Sequence, residues 1–248
     1  MAEAAFWGAV GASALVVGAE VAFHFKLSRL TIGLIMAFGV GALISSVAFE
    51  LIAPAIQTIE TWQVGLGLAL GALTFFVGDR LIARIGGEGR KNPEGASASD
   101  DEGKEDSGLG LVLGTLLDGV PESAVLGMSL VGGAGVSLSL LAGVWVSNFP
   151  ESLGSSVNMR NSGWSKRKIR LIWYGILIAS AVASAVGFAA LDASSTLTGG
   201  LVEAFAAGAL LCMIADEMAP EAYHRASVYA GLATVAGFCL AVWLTTLE

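Results

Sequence analysis

Apolar residues dominate this chain in long runs that polar positions interrupt only briefly. Eight runs reach the roughly 20 residues that a helix needs to cross the hydrocarbon core of a bilayer. They lie at about 4–24, 31–54, 62–83, 108–130, 135–158, 169–190, 198–221 and 227–246. The pattern predicts an all-α, polytopic membrane protein in which eight transmembrane helices form a single domain over residues 1–248.

The composition favours the same class of protein. Hydrophobic residues make up 55% of the chain and charged residues 14%, whereas about a quarter of the residues are charged in soluble proteins. The mean hydropathy is +0.74. The first residues, MAEAAF, contain an acid and no basic cluster, which favours a retained first helix over a cleaved signal peptide.

The thirteen Lys and Arg residues fall at alternate connections, after spans one, three, five and seven. Because basic residues concentrate in cytoplasmic loops, we expect a plasma (inner) membrane protein with both termini outside. The longest connection, 84–108, contains the small, polar and acidic string EGASASDDEGKEDSG. Such a composition predicts a disordered, acidic cytoplasmic loop.

Two polar strings interrupt the predicted spans four and five, DGVPES at 118–123 and SNFPES at 147–152. A carboxylate near the bilayer midplane costs on the order of 3 kcal/mol, so it usually has a partner or marks a transport path. The proline beside it removes a backbone donor and leaves the carbonyl four residues back available to another group. The two strings together predict a pathway for a cation.

Residues four apart share a helix face, which places Asp118 with Glu122 and Ser147 with Glu151, and Asn148 lies alongside. Antiparallel packing of the two spans would gather three carboxylates around a polar cavity. A metal ion would relieve their mutual repulsion. Oxygen donors suit Mn, Mg or Ca, although Zn and Fe also accept carboxylates. Alternatively, the acids share protons or pair with a base, but no Lys or Arg lies at comparable depth in a predicted span.

The cysteines and histidines predict no separate metal site. Cys212 and Cys239 lie within spans seven and eight without disulfide or zinc-finger spacing, as expected of small apolar side chains. His24 and His224 lie at the inner ends of spans one and seven and suit the membrane interface better than a metal. Since His224 is close to Glu221 in the sequence, it is also a candidate for a cytoplasmic exit.

The segment FGVGALISSVAFELIAP at 38–54 resembles FAAGALLCMIADEMAP at 205–220, although one span runs outward and the other inward. The prolines that follow the matched residues are out of step by one. Spans four and five, with their PES strings, have the same inverted relation. Since many transporters consist of halves in opposite orientations, we expect an inverted repeat in a 3+2+3 arrangement. Six residues align without a gap: Phe38, Gly41, Ala42, Leu43, Ala48 and Glu50 with Phe205, Gly208, Ala209, Leu210, Ala215 and Glu217.

These features resemble the ZIP (Zrt-/Irt-like) metal transporters, in which span four typically carries His-Asn-x-x-Glu-Gly. Span five of the family carries His-Glu-x-Pro-His-Glu, or Gln-Asp-x-Pro-Glu-Gly in bacterial members, and these positions form a metal site. The ADEMAPEAYH string of span seven is also similar to the family's acidic seventh helix. At the motif positions this chain has Asp118, Gly119, Glu122 and Ser123 in span four, and Ser147, Asn148 and Glu151 in span five.

The resemblance implies a permease that moves a divalent transition metal (Zn, Mn, Fe or similar) into the cytoplasm. It implies one metal held by Asp118, Glu122 and Glu151 with Ser147 or Asn148, because the family's glutamate of span six is missing here. With the family's orientation, Glu217 and Glu221 belong to the cytoplasmic release route, with Asp216 nearby, and Glu50 belongs to the outer half. Alternatively these acids are polar helix ends at the interface, an interpretation about equally favoured for Glu221.

The chain contains no GxxxxGK[ST] string, so ATP binding of that kind is not expected and ion gradients would drive transport. We expect a non-enzymatic protein whose partners are the lipid bilayer and the metal ion, without an organic cofactor or nucleic acid. ZIP relatives are often dimeric, and small residues four apart, such as Gly67 and Gly71, would permit a homodimer.

Other classes of function remain open. A nontransporting metal sensor or scaffold is consistent with the missing histidines, and a permease for protons or a nonmetal solute is consistent with a carboxylate cluster. An intramembrane aspartyl hydrolase would need two facing aspartates, for which Asp118 and Asp216 are the plausible pair, but the characteristic catalytic surroundings are absent from the sequence.

Overall fold

The computed structural model describes residues 1–85, 104–133 and 135–247. Within these ranges the chain is helical without strands, which confirms the all-α prediction. The predicted disordered loop lies largely outside the described residues. The helices on either side extend into the predicted loop, to Ile85 and from Lys104.

Ten α-helices follow one another along the described chain. They are α1 (Ala2–His24), α2 (Arg29–Ser46), α3 (Ala53–Thr58), α4 (Thr61–Ile85), α5 (Lys104–Met128), α6 (Leu138–Asn161), α7 (Lys166–Asp192), α8 (Thr196–Met213), α9 (Ala219–Ala226) and α10 (Ala230–Thr245). A π-helical segment, Val47–Ile52, joins α2 to α3, and a second one, Ile214–Met218, joins α8 to α9. Each predicted apolar run coincides with helical chain apart from a few residues at its ends.

Serine residues define the starts of several helices. The side chains of Ser28, Ser137, Ser165 and Ser195 each accept a hydrogen bond from the backbone N–H three residues later. This interaction satisfies one of the amides that the first helical turn leaves without a partner. The short polar connections therefore fix where α2, α6, α7 and α8 begin.

Five stretches of the described chain are helical, long enough and apolar enough to cross a membrane. This is consistent with a membrane protein. Within the described residues, α5 and α6 are not among them, and these two helices carry the PES strings. The five stretches are Ala2–His24, Arg29–Thr58, Thr61–Ile82, Lys166–Asp192 and Thr196–Thr245.

The outer face of α7 shows what the exterior of the bundle presents. Leu171, Ile178, Val182 and Val186 are all more than half exposed, and their spacing places them along one side of the helix. A stripe of this kind is unfavourable in water and favourable against lipid. The exterior thus has the polarity expected of a membrane helix.

Glycines allow α2 and α10 to pack with their backbones in contact. A Cβ atom at Gly41 would overlap the carbonyl oxygen of Thr234, and a Cβ at Gly237 would overlap the carbonyl oxygen of Phe38. The contact is therefore reciprocal, with each helix contributing a glycine and, three residues earlier, a carbonyl. Larger residues at either glycine would force the helices apart.

The same reciprocal contact recurs between α4 and α8. A Cβ at Gly71 would overlap the carbonyl oxygen of Phe205, and a Cβ at Gly208 would overlap that of Leu68. Gly67 also faces α8, since its Cβ would lie 2.6 Å from the Cβ of Ala204. The surface that would permit a homodimer through Gly67 and Gly71 is therefore already occupied within the chain.

A third reciprocal pair fixes α5 against α7. A Cβ at Gly127 would overlap the carbonyl oxygen of Ser184, and a Cβ at Gly187 would overlap that of Ala124. In addition, the Ser184 hydroxyl donates to the carbonyl oxygen of Ala4 at 2.7 Å, which ties α7 to α1. The helix that carries Asp118 thus has little freedom to shift.

Candidate carboxylate-lined cavity

A cavity of about 390 Å³ lies between α5, α6 and the chain from the second π-helical segment to α9, with Met36 of α2 at its wall. Polar side chains make up much of its lining, and six of them are carboxylates. The acids are Asp118, Glu122, Glu151, Asp216, Glu217 and Glu221. Three come from the PES helices and three from the chain after α8, so the cavity joins the two groups of acids that the sequence suggested.

The deepest part of the cavity lies between α5 and α6. Asp118 and Glu122 are only 9% and 3% exposed, and both line the cavity because they lie one helical turn apart on α5. The Ser147 hydroxyl lies 3.3 Å from Glu122 Oε1 and 2.9 Å from the carbonyl oxygen of Val144, and these two acceptors share its one hydrogen. Asp118 and Glu151 are near enough to repel the charge of Glu122. The arrangement gathers three carboxyl groups in the part of the cavity between α5 and α6.

Ser147 and Asn148, the two alternative oxygen donors of α6, differ in where they lie. Ser147 lines the cavity, together with Glu151 and Ser155 one and two turns further along the same face. Asn148 is buried at 2% exposure, but it does not line the cavity. The difference arises because adjacent residues on a helix point about 100° apart. The geometry therefore supports Ser147 over Asn148 as a ligand.

The chain after α8 contributes the other wall. Asp216 and Glu217 lie in the π-helical segment and Glu221 lies on α9. Glu221 Oε1 accepts a hydrogen bond from Arg225 Nε at 2.6 Å, and Arg225 lines the same cavity. A basic residue at the cavity was not expected from the sequence, because Arg225 was assigned to the connection after span seven. Arg225 instead belongs to α9, four residues after its hydrogen-bond partner Glu221.

The cavity extends toward the end of the bundle that carries the basic connections. His224 and Asn158 line it and lie in the last turns of α9 and α6. The ring Nδ1 of His224 lies 3.0 Å from Arg29 Nη2 of α2. His224 thus belongs to the cavity wall, as its proximity to Glu221 suggested.

An apolar cluster closes the opposite side of the cavity. Leu126 lies one turn beyond Glu122 on α5, and Val144 lies about one turn before Ser147 on α6. Both are essentially inaccessible, as are Leu43 and Met213, which pack in the same cluster. The apolar cluster therefore lies between the carboxylates of the cavity and the other end of the bundle.

Glu50 lies apart from the cavity. It belongs to the first π-helical segment, and its Oε1 accepts a hydrogen bond from the Ser139 hydroxyl at 3.2 Å. Of the four acids proposed as pathway residues, the structure thus brings Asp216, Glu217 and Glu221 to the cavity and places Glu50 beyond the apolar cluster.

Sequence reasoning missed two buried polar residues, one at the cavity and one on α4. Thr115 lines the cavity one turn before Asp118 and is 3% exposed. Asp79 on α4 is 4% exposed and lies near Cys212 of α8. The sequence could have indicated Asp79, because Asp79 is an acid within an apolar run in the same way as Glu50. Thr115 gave no such signal, since threonine is common in transmembrane helices.

A metal centre is not assembled in this conformation. Within the described residues, no three His, Cys, Asp or Glu side chains lie close enough together to hold one metal ion. The carboxylates nevertheless line one space, and their oxygen donors suit a divalent cation. Metal binding would therefore require some of these side chains to converge.

No protein-family model matches this chain, and none of the curated proteins matches it. The ZIP resemblance therefore depends on the motif residues of α5 and α6. It remains a prediction.

The role of Ser147 can be tested by Ser147→Ala. If Ser147 orients Glu122, its loss should weaken metal binding by about tenfold, as losses around metal ligands commonly do. Metal binding to the purified protein measures this change. The matched control is Ser152→Ala, since Ser152 and Ser147 each donate to the carbonyl three residues before, but Ser152 does not line the cavity. Equal affinities for both variants would contradict the assignment.

Proposed function

We propose that this protein is a ZIP-like permease that moves a divalent transition metal such as Zn, Mn or Fe across the plasma membrane into the cytoplasm. The observation that carries the proposal is the buried, carboxylate-lined cavity at α5 and α6. Buried acids in membrane helices are costly and usually mark an ion pathway. The metal ion is the transported substrate, held by Asp118, Glu122 and Glu151 with the Ser147 oxygen.

The proposed topology has eight spans with both termini outside. Helices α5 and α6 count among these spans. Their polar residues lower their mean hydropathy, but neighbouring helices enclose those residues. The distribution of all thirteen basic residues supports this orientation. The end of the cavity at His224 and Asn158 would then face the cytoplasm.

A 3+2+3 inverted repeat is part of the proposal. Its support is the equivalence of two helix pairs. α2 packs on α10 through reciprocal glycine contacts, and α8 packs on α4 through contacts of the same kind. The aligned glycines, Gly41 and Gly208, make corresponding contacts in the two pairs. In inverted-repeat transporters the substrate site lies where the halves meet, which here corresponds to α5 and α6.

The conformation described is one that would release substrate inward. The cavity extends to the basic end, and the apolar cluster separates the carboxylates from the other end. Alternating access would open that cluster and close the cavity at Glu221 and Arg225. The membrane potential contributes about 2.3 kcal/mol per charge per 100 mV to inward movement of a cation.

A permease for protons or a nonmetal solute is the second candidate. The observation that favours it is the separation of the acids, since no three of the metal-ligating side chains described lie close enough to share an ion. Carboxylates that do not converge can still carry protons or bind an organic cation.

Uptake by proteoliposomes tests the proposal, with Zn, Mn, Fe, Co, Cd and Mg compared in one assay. We expect saturable uptake that Asp118→Ala abolishes. Asp192→Ala serves as the matched control, because Asp192 is an exposed residue at the end of α7. Metal binding without flux would favour a sensor, and neither binding nor flux from folded protein would favour the nonmetal permease.

A further inference from the structure

Three serine hydroxyls form a connected group beside Glu50 on the far side of the apolar cluster, and one of them, Ser139, contacts the carboxylate. Ser139 Oγ donates to Glu50 Oε1 at 3.2 Å, and it lies 3.4 Å from Ser46 Oγ and 3.0 Å from Ser137 Oγ. Ser46 and Ser139 are fully buried and Ser137 is 4% exposed. We call Glu50, Ser46, Ser137 and Ser139 the outer hydroxyl cluster.

This cluster is separate from the carboxylate-lined cavity. Ser139 and Ser147 lie eight residues apart on α6, which corresponds to about 12 Å along the helix. Leu140 and Val144 lie between them and are at most 1% exposed. An ion in one location could not contact the other without a change of conformation.

Glu50 and Glu217 occupy equivalent positions in the repeated segments. The matched residues keep one register up to these glutamates, and the following prolines are one residue out of step. The π-helical segments account for the step, because Val47–Ile52 has six residues and Ile214–Met218 has five. π-helical turns often occur at functional sites. Both glutamates therefore lie in the same type of local distortion, before a proline.

The surroundings of the two glutamates differ in one respect. The helices that precede them, α2 and α8, make the same reciprocal glycine contacts with α10 and α4. Glu217 faces the open cavity, whereas Glu50 is held by the Ser139 hydroxyl. The inner glutamate thus lines a cavity, and the outer glutamate contacts a serine hydroxyl instead.

We infer that the outer hydroxyl cluster is a second cation site, which binds a hard divalent ion such as Mn²⁺ when the outer side of the protein opens. The inference rests on the proposed function, because it names the first binding station of the same pathway. Glu50 supplies the charge, and Ser46, Ser137 and Ser139 supply neutral oxygens, which hard divalent cations accept. In the closed state the Ser139 hydroxyl satisfies Glu50 in place of the ion.

Because it contains a single carboxylate, the outer hydroxyl cluster should bind the ion weakly and release it readily to the next site. The cluster has one acid, whereas the cavity has six. Loss of Glu50 should therefore raise the external Mn²⁺ concentration needed for uptake without slowing the later steps. The expected signature is a change in KM with kcat almost unchanged.

The first experiment measures Mn²⁺ uptake into proteoliposomes for Glu50→Gln and Ser139→Ala. We expect KM to rise by about tenfold for Glu50→Gln, with kcat changed by less than about twofold. Glu50→Asp should recover part of the affinity, because it keeps the charge. Glu60→Gln is the matched control, since Glu60 is exposed between α3 and α4. An unchanged KM in Glu50→Gln would overturn the inference.

The second experiment does not depend on transport or on the stability of Glu50→Gln in uptake assays. Ser139→Cys is introduced into a chain in which Cys212→Ser and Cys239→Ser remove the native thiols, and a membrane-impermeant thiol reagent is added outside. External Mn²⁺ should slow labelling several-fold, and a further Glu50→Asp change should weaken this protection. Labelling that Mn²⁺ does not affect would overturn the inference.

The two experiments separate this inference from the proposed function. Mn²⁺ uptake with a normal KM in Glu50→Gln, and without protection of Ser139→Cys, would retain the permease and reject the outer site. Protection that depends on residue 50, in a protein that moves no metal, would retain the outer site and reject the permease.

Discussion

Glu122→Gln should abolish metal uptake while leaving the protein folded. Glu122 is 3% exposed, lines the cavity and accepts a hydrogen bond from Ser147. Glutamine keeps the size of the side chain and an oxygen that can accept this bond, but it removes the charge that would attract the metal. We expect uptake to fall by at least about 100-fold, because loss of a residue that only supports a metal ligand already costs up to about 100-fold.

The stability of Glu122→Gln should be equal to or higher than that of the original protein. A charge on Glu122 would be buried beside the carboxyl groups of Asp118 and Glu151, which line the same cavity, whereas glutamine carries no charge that burial could disfavour. Residues that serve function often reduce stability in this way. Thermal unfolding in detergent would measure the difference. A lower unfolding temperature would mean that Glu122 is structural.

Two comparison variants make the uptake result specific. Glu221→Gln changes an acid that is ion-paired with Arg225 near the end of the cavity, so uptake should be slowed but retained. Glu60→Gln changes an exposed acid and should have no effect. Undiminished uptake in Glu122→Gln would refute the assignment of the site to α5 and α6.

Gly187→Ala should destabilise the protein, because the added methyl group has no space. A Cβ at Gly187 would overlap the carbonyl oxygen of Ala124, which belongs to the backbone of α5 and cannot rotate away. Overpacking of this kind costs about 1–3 kcal/mol. Since α5 also carries Asp118, separation of α5 from α7 should reduce transport as well.

Gly175→Ala provides a control on the same helix. A Cβ at Gly175 would have no atom within 4 Å, and alanine is favoured over glycine in a helix by about 0.5–1 kcal/mol. The two variants should therefore shift the unfolding temperature in opposite directions, downward for Gly187→Ala and upward or not at all for Gly175→Ala. Equal shifts would show that the α5–α7 contact is looser than described.

The helices could be predicted closely from the sequence because apolar runs of membrane length have few alternatives to helix. The run at 62–83 corresponds to α4, Thr61–Ile85. The π-helical segments were not predictable by the same reasoning. They contain one extra residue in a helical turn. Where nearly every residue is apolar, the spacing of hydrophobic positions does not reveal such a residue. Only the misaligned prolines of the repeat hinted at them.

The cavity was predictable to the extent that it depends on helix periodicity. Asp118 with Glu122, and Ser147 with Glu151, share faces by spacing alone, and all four line the cavity. Arg225 was not predictable, because its position depends on how far α9 continues past Pro220. The choice between Ser147 and Asn148 needed the orientation of α6 relative to its neighbours, which spacing does not determine.

The polarity of α5 and α6 has a consequence for how the chain is made. In the proposed topology, α5 carries Asp118 and Glu122 and α6 carries Glu151, and an acid costs about 2.5–3.5 kcal/mol at the centre of an isolated helix during insertion. The partner that packs on α5 through Gly127 and Gly187 is α7, which the ribosome synthesises later. The acids of α5 and α6 must therefore be shielded by the insertion machinery or by earlier helices until α7 has been synthesised and packs on α5. Its assembly would be a late step in biogenesis, and variants that delay α7 would expose α5 to quality-control proteases.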